Sequence, residues 1–270
     1  MRLCVLTMFK NERHIVNEWI DHHVSVGFDH IHLLDNGSTD GYEIDEALRP
    51  YVTIEHYEGP QAKAYDKCLP MLKATADWVA QIDMDEFLYS KEGTVRAQIA
   101  SMPDDVSRVE IQMKLYCLSS FYDPTSKIAS QTHYVPDSAG HPKCVSRTRG
   151  LRSIGIHNSK SASNNHVFFD HASSKLCINH YRFQSAEYLY GIKEQRGGGV
   201  TKHKYNSSRP ISRSTLCHAK VSPSHIEDTW LKAHSPGVIA RCVSRRHPGP
   251  ATELYPNSSW ERGEHKGDSI

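Results

Sequence analysis

Leu3 to Phe9 is an unbroken apolar run of the kind that lies inside a parallel sheet. Asn11 then reads as the cap of a helix in which Ile15, Trp19, Ile20, His23 and Val24 recur at helical spacing, and Gly27 ends it. Phe28 to Leu34 predicts a second strand, followed by the polar turn Asp35 to Gly41. A short helix is expected over Tyr42 to Leu48, stopped by Pro50, and a third strand over Val52 to Tyr57. Ala62 to Ala76 predicts a helix with Tyr65, Leu69 and Leu72 on one face and Pro70 as a kink. Trp78 to Ile82 predicts a fourth strand that runs straight into Asp83-Met84-Asp85-Glu86-Phe87-Leu88. This β-α-β-α-β-α-β alternation through residue 88 is the pattern of a parallel sheet covered by helices.

The second half is less regular. Val109 to Leu118 and Leu176 to Arg182 read as strands, and Cys144 to Arg149 with Arg152 to His157 as a hairpin. Ser185 to Arg196 reads as a helix closed by Gly197-Gly198-Gly199, and another is expected near Ser224 to His234. Residues 1–200 are therefore expected to form one α/β domain. Residues 201–270, rich in Ser, Pro, His, Arg and Lys, are expected to be a polar, partly helical or disordered extension.

Composition narrows the class. A net charge of +1 over 270 residues gives no footprint for nucleic acid. No stretch approaches the roughly 20 apolar residues of a membrane span. The apolar start is cut short by Lys10-Asn11-Glu12 and lacks a cleavage site, so a cytoplasmic protein is expected. The 7 cysteines include no C-x-x-C pair, which argues against a disulfide framework and a thiolate zinc site. The 18 histidines are scattered, with room for one or two as metal ligands.

Asp83-Met84-Asp85 carries the strongest chemical signal. Ligands of open parallel sheets bind at strand ends, and two carboxylates at i and i+2 there suit a hard divalent ion, Mn²⁺ or Mg²⁺. Such an ion would offset charge building on a departing nucleoside diphosphate. Glu86 supplies a third carboxylate, and Asp35 at the end of the second strand can accept from a base N–H or a ribose hydroxyl. Ser38, Thr39 and Asp40 read equally well as capping residues, and Glu12 as a plain helix start. Lys193 and Arg196, one helical turn apart, can reach a diphosphate, or read equally well as a solvated helix face. The loop after the first strand has neither G-x-G-x-x-G nor a P-loop, which weakens dinucleotide and P-loop readings.

Several of these stretches occur together in one known group. Phe9-Lys10-Asn11-Glu12, Glu18-Trp19-Ile20-Asp21-His22-His23 with Gly27 and Asp29-His30, and Leu34-Asp35-Asn36-Gly37-Ser38-Thr39-Asp40 resemble the opening of family 2-like glycosyltransferases. Gln61, Tyr65, Cys68-Leu69, Trp78, Ile82 to Leu88 and Asn179-His180-Tyr181-Arg182 resemble the group around glycosyltransferase family 92, as do Ser185, Lys193, Arg196 and Gly197. The resemblance runs from about residue 3 to about residue 200.

The resemblance implies a GT-A fold, with a central, mostly parallel sheet flanked by helices. It also implies a nucleotide-sugar donor, expected to be a UDP-sugar, and Mn²⁺. Carried over residue by residue, Asp35 contacts the base, while Thr7, Lys10, Asn11 and Glu12 line the nucleoside pocket with Asn36. Asp83 faces the ribose or sugar and Asp85 ligates the metal together with Asp83; His180 and His157 are the candidates for a late histidine ligand. Met84, Gln61 and Lys63 complete the expected donor site. The acceptor is expected to be a glycan or glycoprotein hydroxyl, and the transfer inverting. Asp123, Asp170 and Glu86 are then the candidate bases. Related sequences carry Phe-Gly-Ser-Ser-Gly where this one has Tyr116-Cys117-Leu118-Ser119-Ser120-Phe121, so its acceptor loop differs. Two other readings stay open: a nucleotidyltransferase, and a silent nucleotide-sugar-binding module.

Overall fold

The computed structural model describes residues 1–116, 133–135, 141–182, 184 and 226–231. The chain begins with β1 (Leu3–Phe9), α1 (Val16–Ser25), β2 (His30–Asp35), a single 3-10 turn at Arg49–Tyr51, and β3 (Val52–His56). It continues with α2 (Gln61–Thr75), β4 (Trp78–Gln81), β5 (Glu86–Tyr89), α3 (Val95–Ala100), β6 (Arg108–Ile111) and β7 (Met113–Tyr116). Then come β8 (His133–Val135), β9 (Lys143–Arg147), β10 (Leu151–Ile154), β11 (Ser159–Ser161), β12 (His166–Phe169), β13 (Cys177–His180) and β14 (Ile226–Glu227).

Seven strands form the main sheet in the order β3-β2-β1-β4-β9-β6-β12, and only β9 runs against the others. The expected α/β class, a mostly parallel sheet flanked by helices, is what forms. Strand alternation sorts the core onto two faces. Leu3, Val5, Ile31, Leu33, Trp78 and Ala80 pack with Trp19, Ile20 and Val24 of α1. Cys4, Leu6, Leu34 and Val79 pack with Tyr65, Cys68 and Leu72 of α2. A second sheet, β14-β8-β7-β13-β5, grows from the end of β4. The chain leaves β1 toward β2 and β3, then returns to the other side of β1 as β4. That reversal is the switch point where open α/β sheets bind ligands.

Several expectations are corrected. Tyr42 to Leu48 does not form a helix. Ile44 and Leu48 are buried at the expected spacing, but Asn17 binds the Glu43 carbonyl (2.9 Å) and the Asp45 N–H (3.1 Å), which satisfies this backbone without a helix. Asn11 does not cap α1, which has no side-chain cap. At φ 54° it turns back instead, and its Oδ1 accepts from Thr39 N at 2.7 Å. The strand read over Val109 to Leu118 breaks at Gln112, whose N–H donates to the Phe169 carbonyl (2.8 Å), so β6 and β7 enter different sheets. The hairpin also fails. Residues 143–146 are buried on both faces, so β9 sits between β4 and β6, while β10 pairs with β11 over α2. Of the helix expected near Ser224 to His234, residues 226–227 pair as a strand instead, residues 230–231 are helical, and the rest lies outside the described residues. The helix α2 runs through Pro70, which is exposed. Ser185–Arg196 and the glycines after it lie outside the described residues.

Residues 226–231, from the region read as an extension, dock onto the second sheet. Asp228 accepts from Lys114 Nζ at 2.7 Å, and Trp230 stacks on Tyr89 with centroids 4.9 Å apart. Cys4, Cys68, Cys144 and Cys177 are buried, and none of the four is in a disulfide. Among the described residues no helix is long and apolar enough to cross a membrane.

Candidate active site

Residues 82–85 connect the main sheet to the second sheet, so the acidic turn sits where the two meet. The turn closes on itself: Glu86 N donates to the Asp83 carbonyl (3.0 Å), and Asp83 N donates to Glu86 Oε2 (2.8 Å). Met84 is buried in the core and anchors it from below. Trp19 of α1 braces both ends, its indole N–H reaching the carbonyls of Asp83 (3.1 Å) and Glu86 (2.7 Å). His22 and His23 bond the backbone of Leu88 one pleat further on. The Asp85 carbonyl accepts from Tyr181 N at 2.7 Å, which ties the turn to the residue after β13.

β13 lies antiparallel to β5 with His180 directly opposite Glu86. Cross-strand partners of this kind share a face. His180 Nε2 is 3.5 Å from Asp85 Oδ1. Asp85, Glu86 and His180 each offer a ligand atom, all within 4.8 Å of one another. Glu86 Oε1 is buried with no hydrogen-bond partner among the described residues. Two carboxylates and an imidazole suit Mn²⁺ or Mg²⁺, and the residues present fit that ion.

Lys143 at the head of β9 is the charge that the sequence reading missed. Its side chain is 1% exposed, and its ammonium lies 2.7 Å from Asp83 Oδ2 and 3.3 Å from Glu86 Oε2. Burial alone would raise the Asp83 carboxyl; Lys143 overrides it and holds that pKa below the usual value. Burial wins at Glu86, whose carboxyl is pushed up to about 7 despite Lys143. When all are ionised, Asp83, Asp85 and Glu86 against Lys143 leave two net negative charges, which favours a divalent cation.

Gln61, the first residue of α2, donates to Asp83 Oδ1 (3.0 Å) and to Tyr65 Oη (2.7 Å). Asp35 ends β2, on the other side of β1 from Asp83. Two strand spacings put these ends roughly 10 Å apart. The Asp35 carboxylate accepts from Ser38 N (2.8 Å) and from Tyr42 Oη (3.2 Å), and Tyr42 packs edge-on against Phe9. Asn36 Nδ2 holds the Tyr57 carbonyl at 2.8 Å. Asn11 and Ser38 tie the loops after β1 and β2 together.

The structure thus gathers Asp83, Asp85, Glu86, His180 and Gln61. Others lie apart. Thr7 and Glu12 are buried, Lys10 is half-buried and Lys63 exposed. His157 is outside the ligand group; burial first, then Lys143, lowers its pKa, and its ring sits 5.3 Å from that of His141. Asp170 is exposed at the outer edge strand, three strands from β4, and accepts from Ala172 N (2.9 Å) in its own turn. Asp123, Lys193 and Arg196 lie outside the described residues.

Trp19→Phe keeps a ring in the pocket but removes the N–H brace. The expected cost is about 1–3 kcal/mol for carbonyls left under-satisfied, read by chemical denaturation, with weaker Mn²⁺ binding. Unchanged stability and metal affinity would mean that the indole plays no part in shaping the turn.

Fold and site together define an α/β protein with two carboxylates and an imidazole gathered beside the switch point of its parallel sheet. The chain belongs to glycosyltransferase family 92, whose profile matches residues 1–230. A family 92 protein of Ricinus communis is 26% identical over 125 residues, covering 41% of this chain and 22% of the relative. One of Oryza sativa subsp. japonica is 32% identical over 95 residues, covering 32% and 16%. The match therefore spans less than a quarter of either relative. Among solved structures, the mannosyltransferase PcManGT from Pyrobaculum calidifontis, in complex with GDP-Man and Mn2+, aligns with a TM-score of 0.33 at 19% identity, covering 54% of this chain and 44% of that one. HddC from Yersinia pseudotuberculosis aligns with a TM-score of 0.38 at 10% identity, covering 72% and 99%. Likenesses this slight carry no argument about chemistry.

Proposed function

We propose that this chain is a metal-dependent glycosyltransferase that moves a sugar from a nucleoside-diphosphate sugar to a hydroxyl of a glycan or glycoprotein acceptor. One observation carries the reading: Asp85, Glu86 and His180 converge at the end of β4, beside the sheet's switch point, in a chain of family 92. These three residues would hold Mn²⁺ or Mg²⁺. The bound ion would neutralise charge developing on the departing diphosphate.

The chain's own groups do the rest. Asp35 receives the base or ribose at the end of β2, and Phe9 and Tyr42 form an apolar wall beside it. Asp83, fixed by Gln61 on one oxygen and Lys143 on the other, presents its edge to the ribose or sugar in a single orientation. Lys143 keeps Asp83 ionised without contacting bulk water. Transfer with inversion, which we include in the proposal, needs a carboxylate to take the acceptor's proton.

A thermal-shift screen of UDP- and GDP-sugars, with and without Mn²⁺, tests the donor. A ligand that binds the folded state raises Tm by mass action, by the equivalent of about 2.7 kcal/mol at a hundredfold excess over Kd. UDP-sugars with Mn²⁺ are expected to give the largest shift. A shift with GDP-sugars alone would refute the uridine assignment, and no shift with any donor would count against the transferase reading itself.

A further inference from the structure

Beneath α2, away from the acidic turn, three donors from three elements meet. His32 comes from β2, Glu55 from β3 and Cys68 from α2, and each offers a ligand atom within 4.8 Å of the others. We propose that His32, Glu55 and Cys68 form a second metal site, selective for a borderline-soft divalent ion such as Zn²⁺.

The donor chemistry sets the ion. Thiolate and imidazole favour Zn²⁺ over Mg²⁺ or Mn²⁺, whereas the site at the acidic turn is mainly carboxylate. Distances agree. His32 Nε2 and Glu55 Oε2 are 3.3 Å apart. The two groups share a long hydrogen bond. Its length matches the ligand–ligand edge, about 3.3 Å, of a tetrahedron with zinc bonds of about 2.0–2.1 Å.

The burial pattern adds a second, independent point. The His32 side chain is 6% exposed, so its ring lies among buried groups. Cys68 is 5% exposed, while the Glu55 side chain is 34% exposed and opens the cluster to solvent. An ion can enter on that side, and three protein donors leave a fourth position for water. Lys67, 3.4 Å from Glu55 Oε1, stands on the rim outside the cluster. Burial and the neighbouring carboxylate push the Cys68 thiol up to about 12, so binding releases a proton.

The consequence is mechanical. α2 carries Gln61 and Tyr65 at its start, next to Asp83, and the ion would pin the middle of that helix to β2 and β3.

Co²⁺ titration of the chelator-treated full chain tests this, because thiolate ligation gives Co²⁺ a near-ultraviolet charge-transfer band. We expect a saturable band that one equivalent of Zn²⁺ abolishes and that Cys68→Ser lacks. Glu55→Gln, at a partly exposed position, is expected to fold and to weaken binding roughly 100-fold. Asp85→Ala is expected to leave the band intact, which separates this test from the transferase reading. No band in the wild-type chain, a band that survives Cys68→Ser, or undiminished binding in Glu55→Gln would each overturn the proposal. Should Cys68→Ser not fold, the wild-type and Glu55→Gln titrations decide alone.

Discussion

Replacing Asp85 by alanine is expected to lower Mn²⁺-dependent donor hydrolysis by roughly 10²–10³-fold, the rate equivalent of the several kcal/mol that a metal's charge supplies in the transition state. The fold is expected to survive. The bond from Asp85 that holds the neighbouring strand is made by its carbonyl, to Tyr181 N at 2.7 Å, and alanine keeps it. The variant also removes one negative charge from a cluster that has too many. Its metal-free Tm is therefore expected to equal or exceed that of the wild type. A variant that still turns over donor at the wild-type rate would remove Asp85 from the chemistry.

The second large effect is on stability. Lys143→Met deletes the only ammonium recorded against Asp83 and Glu86 among the described residues. Removing one partner of a buried ion pair costs about 3–5 kcal/mol, because the remaining charge has no compensation. The loss is expected to depend on pH. In the wild type, Lys143 holds the Asp83 pKa below its unfolded value. That stabilisation is present above the unfolded carboxylate pKa and fades as pH falls. In the variant both carboxylates lose the cation and their folded pKa values rise, so protonation at low pH relieves the repulsion. Denaturation of both proteins is expected to show the widest gap at neutral to alkaline pH and convergence below about pH 4. A small gap independent of pH would show that Lys143 is not the counter-charge described above.

Features written locally in the sequence were legible. β1 was read with both bounds because Leu3–Phe9 is buried on both faces and therefore apolar apart from Thr7. The acidic turn was legible because strand and carboxylates are contiguous. His180 could be named only as one of two candidates. Its place opposite Glu86 depends on the β13–β5 register, which joins residues 94 apart in number and leaves no local trace. Lys143 was invisible for the same reason. A lysine at the head of a strand looks solvated, and its burial comes from β9 inserting between β4 and β6. Trp19 was read as a core residue, which it is, but its N–H role needs the turn's carbonyls to arrive from 64 residues away. The failed helix at Tyr42–Leu48 shows the converse. Ile44 and Leu48 obeyed the helical period, yet a single amide, Asn17, met the backbone's needs in another conformation.

Anomalous diffraction from crystals soaked with Mn²⁺ and UDP-sugar bears most directly on the whole account. A manganese peak is expected among the side chains of Asp85, Glu86 and His180, with the donor's diphosphate alongside and its base toward Asp35. A peak anywhere else, or a donor bound with those three side chains uninvolved, would contradict it.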